Sequence, residues 1–394
     1  MHAGGMTNDG IERVADPAAT DLTHALLDGL RVPLAGAPMA GGPSTPGLAA
    51  AVAEAGALGG LAGAYLSPDA LREQIRAVRA ATEGPFAVNL FVPARANQVD
   101  EALDEVAREA AVEAYALELV ETEGVAIEEL PVPDAGDDDG WDAKLALLLE
   151  ERVPAVTFTF GLPARRTLES FTAAGVVTGV TVTSPDDAVL AVRGGAGLVI
   201  AQGADAGGHR STFTLGQEPN ETPALELARR AVAALAEAGL GAPVVASGGV
   251  AGPDDVAALL ATGAAAVQVG TLLLVAEEAG TSAAHREALT SGSFVETVLT
   301  RAFSGRFARG LRNAFMDRHA SAPAAFPELN QLTRPVRAAA AARGDAQAMS
   351  LWAGTGFASA RPGTAAEIVE RLAAGAAVRG EPTGADVRHA DLAE

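Results

Sequence analysis

The sequence predicts a (β/α)8 barrel with an additional helical region toward its C-terminus. Eight short apolar runs, several rich in β-branched residues, recur between positions 32 and 271 and mostly alternate with helical stretches. No strand is followed by the glycine fingerprint of a doubly wound nucleotide fold. The near match at Gly239 and Gly241 leads into a strand, which is the wrong context. The remainder after the eighth run is longer than a closing barrel helix requires.

Taken in order, residues 1–29 read as a flexible tail without the apolar core of a signal peptide. The barrel is expected over 30–279, with strands at 32–39, 58–62, 85–91, 154–161, 176–182, 197–202, 243–249 and 265–271. Helix starts are marked by Ser44 or Thr45 before Pro46, by Ser67-Pro68-Asp69, by Ser184-Pro185 and by Gly252-Pro253-Asp254. A further helix is expected over 223–238. Residues 94–152 form a helical insertion, in which Val99, Leu103, Val106, Ala110 and Leu117 fall at helical spacing. Asp137, Asp138 and Asp139 lack the spacing of a calcium loop and read as the cap of the helix ending near Arg152. Residues 280–345 are expected to form a helical cap over the barrel mouth, and 346–394 to carry a closing helix over 364–378.

Composition narrows the function classes. Aromatics are 4% of 394 residues, so the core must pack through small side chains. No cysteine is present, which removes disulfides, thiolate zinc sites and a cysteine nucleophile. A formal net charge of −22 argues against nucleic acid, which needs a basic patch. Lys144 is the only lysine. The uncharged stretch 256–276 is broken by Thr262-Gly263 and flanked by acids, so it reads as helix, turn and strand rather than a membrane span. A soluble, cytoplasmic protein is expected, with no metal site and no membrane partner. The oligomeric state is left open between monomer and homodimer.

The chemistry concentrates at strand ends, where barrels place their active sites. Those ends offer Met39, Asn89, Thr159, Thr181, Gln202, Ser247 and Gln268, few of which ionise. After the sixth strand, a loop carries Gly207, Gly208 and His209, which brings one imidazole beside bare backbone. The loops after strands seven and eight, with Gly248 and Gly249 and with Gln268, Val269, Gly270 and Thr271, suit a phosphate. FMN fits this arc best, and a sugar phosphate remains an alternative on spacing alone. His2, His24, His285, His319 and His389 read as surface groups.

Six motifs in this order carry a resemblance: Ala37-Pro38-Met39-Ala40, 88–91 around Asn89, 157–161, 201–210 through His209, 246–249 and 268–271. With the runs 300–306, 308–313 and 352–354, they resemble the nitronate monooxygenase family, formerly 2-nitropropane dioxygenases, in its class I form. The resemblance implies an FMN enzyme that oxidises alkyl nitronates with O2 to a carbonyl compound and nitrite. It implies Pro38, Met39 and Ala40 beside the flavin, Asn89 and Gln202 hydrogen-bonded to it, and Gly207, Gly249 and 268–271 around ring and phosphate. His209 matches the family's active-site histidine, as proton acceptor or anion-orienting group. The chain departs from the family in having only Tyr65 and Tyr115, with Phe326 where a hydroxylated aromatic is expected. Arg210, Arg301 or Arg306 could supply positive charge, although a structural role is the simpler reading of each. An FMN-dependent enoyl-thioester reductase using NAD(P)H shares the Gly-Gly-His loop and is the nearest alternative; a non-catalytic flavin-binding or phosphate-binding protein is another.

Overall fold

The structure, a computed structural model, describes residues 16–99 and 104–376. Parallel strands β1 (Leu34–Gly36), β2 (Gly59–Ala62), β3 (Phe86–Phe91), β4 (Ala155–Thr159), β5 (Val177–Val182) and β6 (Leu198–Gln202) open an eight-stranded sheet. After a two-residue strand β7 (Gly208–His209), strands β8 (Val244–Ser247) and β9 (Ala266–Val269) complete it. The hydrogen-bonded order is β1-β9-β8-β6-β5-β4-β3-β2, and a parallel bridge from Ala35 to Leu58 closes the ring into a barrel. Helices α2 (Pro46–Glu54), α3 (Pro68–Ala81), α6 (Arg165–Ala173), α7 (Pro185–Arg193), α8 (Ala224–Glu237) and α9 (Pro253–Leu260) surround it. Thr45, Ser67 and Ser184 cap α2, α3 and α7 by accepting the amides of Leu48, Ala70 and Asp187, each before a proline at the first turn. The barrel interior mixes Ala35, Ala87, Ala155 and Ala266 with Leu58, Val177, Leu198, Ile200 and Val245. At Gly60 an added Cβ would lie 2.8 Å from the carbonyl carbon of Gly36, so β1 and β2 approach too closely for any side chain.

Several expectations are corrected. Residues 17–28, read as part of a tail, form helix α1 (Pro17–Asp28), whose Leu27 packs with Leu198, Ile200 and Val245 against the bottom of the barrel. Asp16 caps it and Pro17 starts it, the same cap-then-proline signal that opens α3 and α7. In the insertion, α4 (Glu105–Glu123) buries Val112, Tyr115 and Leu119. The face foreseen through Val106 and Leu117 is 77% and 58% exposed, and Leu103 lies outside the described residues. Helix α5 (Trp141–Glu151) packs on α3 and the barrel core, so it is the barrel's own connection between β3 and β4. Its cap is Gly140, with no side-chain cap bond. Asp138 pairs with Arg95, and Asp139 with Lys144 at 2.7 Å.

The cap is a mixed structure. Helices α10 (Ala283–Thr290), α11 (Ala314–Arg318) and α12 (Glu328–Arg343) accompany a three-stranded antiparallel sheet. That sheet joins β10 (Thr297–Thr300) and β11 (Ala308–Leu311) to β7, pairing Ala308 with His209. The insertion supports the cap: Arg108 bonds Glu328 at 2.6 Å, and the Tyr115 hydroxyl donates to the Ala302 carbonyl at 2.6 Å. His319 is fully buried between Glu118 and Glu123, at 2.6 and 3.0 Å, so it is a bridge between α4 and α11 and not a surface group. Helix α13 (Ala365–Ala373), with a Thr364–Glu367 capping box, packs on α2 and α9. No described helix is long and apolar enough to cross a membrane.

Candidate active site

The carboxyl ends of the barrel strands and the cap enclose a cavity of about 740 Å3, within the size range of small-molecule and cofactor sites. Pro38, Met39, Ala40, Asn89, Gln202, Gly207, Gly208, His209, Gly248, Gly249, Gln268, Val269, Gly270 and Thr271 all line it. The parallel barrel explains this convergence, since residues far apart in sequence meet wherever strand ends share one rim.

The loops after β8 and β9 form one wall. Gly248 and Gly249 have φ of +123° and +70°, conformations that side chains rarely adopt. A Cβ on Gly248 would lie 2.6 Å from the Asp205 carboxylate behind it. Asp205 accepts the Ala224 amide at 3.0 Å, and burial raises its pKa. After β9, Gly270 precedes a 3-10 turn (Thr271–Val275), and the Thr271 hydroxyl accepts the Gly354 amide at 2.9 Å. That leaves the Thr271 O–H proton to be donated. On β3, the Asn89 amide group donates to Thr157 Oγ1 at 3.0 Å and Thr159 Oγ1 at 2.9 Å. Its nitrogen is thereby committed, and its oxygen is the atom left to meet a ligand. Ser247 donates to the oxygen of Gln268 at 3.2 Å, which leaves the Gln268 N–H groups toward the cavity.

Gln202 lines the cavity and also holds its own loop. Its Nε2 donates to the His209 carbonyl at 2.8 Å, and its Oε1 accepts the Ser211 amide at 2.9 Å. Arg210, fully buried, donates from Nη1 to the Gln202 carbonyl at 2.8 Å. The carboxamide therefore holds the 203–211 loop in shape, and one N–H remains for the cavity.

His209 is set by this loop below and by the cap above. Its Nε2 lies 2.8 Å from Ser304 Oγ, whose own proton points to the Arg306 carbonyl at 3.2 Å. On this network we assign the Nε2–H tautomer, with Nδ1 as the free lone pair. Phe160 and Trp352 flank the ring at centroid distances of 5.5 and 5.4 Å, and Phe91 and Phe326 complete an aromatic box. Phe160 has φ +78°, a strained conformation for a bulky residue. Arg306 stacks 4.3 Å over the Phe160 ring and donates to the Thr212 carbonyl at 3.2 Å. Arg337 is held by Asn330 at 2.9 Å. Burial, then Arg306 and Arg337, depress the His209 pKa to about 3, so the imidazole is neutral.

Among the residues that line the cavity, Ser304, Trp352 and Arg337 carry no role legible in the sequence. Ser304 and Trp352 lie inside recognised C-terminal runs but had no assigned role, and Arg337 sits in an Arg-rich and Ala-rich helix with no local signal. His285, expected at the surface, is buried and lines the cavity. Desolvation holds its pKa near 4, and its Nε2 has no hydrogen-bond partner among the described residues. Arg301, at the edge of the cap, lies 3.8 Å over Phe307 and 3.4 Å from Glu218.

A (β/α)8 barrel with a glycine-walled, cofactor-sized cavity and a buried neutral histidine defines a barrel protein with a small-molecule or cofactor site at its strand ends. The chain belongs to the nitronate monooxygenase family, whose model matches residues 25–375. A nitronate monooxygenase of Pseudomonas aeruginosa is 39% identical over 363 residues, covering 90% of this chain and 98% of its own. A nitroalkane oxidase structure from Streptomyces ansochromogenes superposes with a TM-score of 0.80 at 43% identity, over 89% of this chain and 97% of that one. FabK from Thermotoga maritima superposes with a TM-score of 0.67 at 26% identity, over 90% and 94%.

Proposed function

We propose that the protein is an FMN-dependent nitronate monooxygenase that oxidises alkyl nitronates with O2 to a carbonyl compound and nitrite. The observation that supports it most directly is the pairing of a glycine cradle with a buried neutral His209 backed by Arg306 and Arg337. The cradle fits FMN. Gly248, Gly249, Gly270 and Thr271 would hold the phosphate, while Asn89, Gln268 and the remaining Gln202 N–H would bond the ring. Pro38, Met39, Ala40 and Gly207 would lie along the cofactor. When bound, FMN supplies the electron transfer and O2 chemistry.

The protein's own residues bind, orient and exclude water. An imidazole with a pKa near 3 is too weak a base to ionise a neutral nitroalkane, whose α-C–H is a far weaker acid. The arginines that depress it favour an anion already formed. The site therefore suits a preformed nitronate, which the charges of Arg306 and Arg337 attract, while the neutral His209 and Trp352 rings line its binding position. With a neutral His209, turnover of preformed nitronate is expected to be flat between about pH 5 and 8.

Purified protein should be yellow, and anaerobic nitronate should bleach or shift the flavin spectrum without NAD(P)H. A His209→Asn variant should keep its flavin and lose roughly 10²-fold in turnover through misplacement of the substrate. The FabK likeness supports the second reading, an enoyl-thioester reductase. NAD(P)H consumption with an enoyl thioester, together with no O2 uptake on nitronates, would establish that reading instead.

A further inference from the structure

Tyr65 follows β2 at the cavity mouth, in a backbone conformation that costs a non-glycine residue energy, with φ +66°. The residue is 42% exposed, and its ring meets Phe91 edge to face at 5.6 Å. Something outside the β2–α3 loop must hold it there. The Tyr65 amide donates to Asp139 Oδ1 at 3.0 Å, and Asp139 Oδ2 lies 2.7 Å from Lys144 Nζ. Lys144 is the chain's only lysine and is 1% exposed, although no step of the proposed reaction uses it. Burying an ammonium is costly unless it is paired, and here the pair's other carboxylate oxygen is spent on a single backbone amide.

The same turn reaches the opposite wall. The Asp134 amide donates to Gln331 Oε1 at 2.7 Å, and Gln331 Nε2 donates to Asp137 Oδ2 at 3.1 Å. Gln331 sits on α12, beside Asn330 and ahead of Arg334 and Arg337, all of which line the cavity. Residues 134–144 thus clasp both sides of the mouth.

We propose that the buried Asp139–Lys144 pair is a positioning device that holds Tyr65 at the cavity mouth, making Tyr65 a specificity-determining residue that donates its phenol O–H to the anionic group of the substrate. This rests on the nitronate reading for the substrate's charge. The structure places no other tyrosine on the cavity wall among the described residues, since Tyr115 is committed to the Ala302 carbonyl.

The test uses the full-length flavin-loaded protein and three variants: Tyr65→Phe, the paired Asp139→Asn/Lys144→Met, and all three changes together. Steady-state turnover of a preformed nitronate gives KM and kcat. Calorimetric titration with propionate, an unreactive small carboxylate, gives anion affinity without any turnover. Tyr65→Phe should raise KM and the propionate Kd about tenfold, the effect of one lost hydrogen bond to an anion, with kcat within about twofold. The paired variant should reproduce that rise, and the triple variant should add nothing further, because both act through one contact. An unchanged KM and Kd in Tyr65→Phe, or full additivity in the triple variant, would overturn the proposal. If wild type turns over no nitronate yet the propionate pattern holds, the nitronate reading fails and the positioning role stands.

Discussion

His209 shows how a residue's chemistry is decided by what surrounds it. Its Nε2 is tied to Ser304, Arg306 and Arg337 lie close enough to lower its basicity, and the result is an acceptor rather than a cation. His285 is a second buried imidazole, held near 4 against about 6.5 for an ordinary histidine. Because the folded form of each binds its proton only at lower pH, the unfolded chain carries more protons between the two values. Stability from these groups is therefore complete above pH 6.5 and falls as the solution is acidified through 6.5 toward 4. For His285 alone the loss is on the order of 3 kcal/mol. His285→Leu should flatten the Tm-against-pH curve across this window, and an unchanged slope would show that His285 does not carry it. At Gly249 the backbone itself is the constraint. Gly249→Ala places a Cβ at φ +70° against Asp205, costing about 1–2 kcal/mol in backbone alone. FMN affinity measured by flavin fluorescence should fall at least tenfold.

At the scale of elements, the loop between β6 and β7 acts as one unit. Gln202 closes it through the His209 carbonyl and the Ser211 amide, and β7 then pairs with β11 of the cap. Gln202→Leu leaves two buried backbone groups unpaired, at about 1–3 kcal/mol each. It should lower kcat for nitronates by at least tenfold while much of the flavin is retained. Loss of flavin with no change in kcat per bound flavin would instead return Gln202 to a cofactor role. Helix α4 makes the complementary case. Its buried face runs through Val112, Tyr115 and Leu119 because the cap lies on that side. The alternative stripe through Val106 and Leu117 has the same period, and local sequence offers no means to choose between them.

For the whole molecule, the barrel is closed below by α1 and above by the cap. Leu27 and Leu30 seal the apolar interior beside Leu198 and Val245, and each fully buried leucine contributes about 1.5–3 kcal/mol. Truncation of residues 1–30 should lower Tm by several degrees or make the protein insoluble, without changing the wavelength of its flavin spectrum. The cap also explains why the cavity is a chamber and not an open dish: Ser304, Arg337 and Trp352 all reach it from outside the barrel, and β11 pairs with β7 beside it.

The sequence by itself determined the eight-strand alternation, most of the helix caps and the set of residues around the barrel mouth. Those signals are local: proline after serine or threonine, runs of β-branched residues, and glycines at strand ends. Tertiary structure alone decided which side of a side chain faces the cavity. Gln202 and Asn89 look equivalent as strand-end amides, yet one holds a loop and the other presents its oxygen to the cavity. The burial of His285 and His319 was likewise settled by the cap, since a polar helical neighbourhood says nothing about what packs over it. Pairing of Ala308 with His209 joins residues about a hundred positions apart, and a contact of that range leaves no periodicity in either segment.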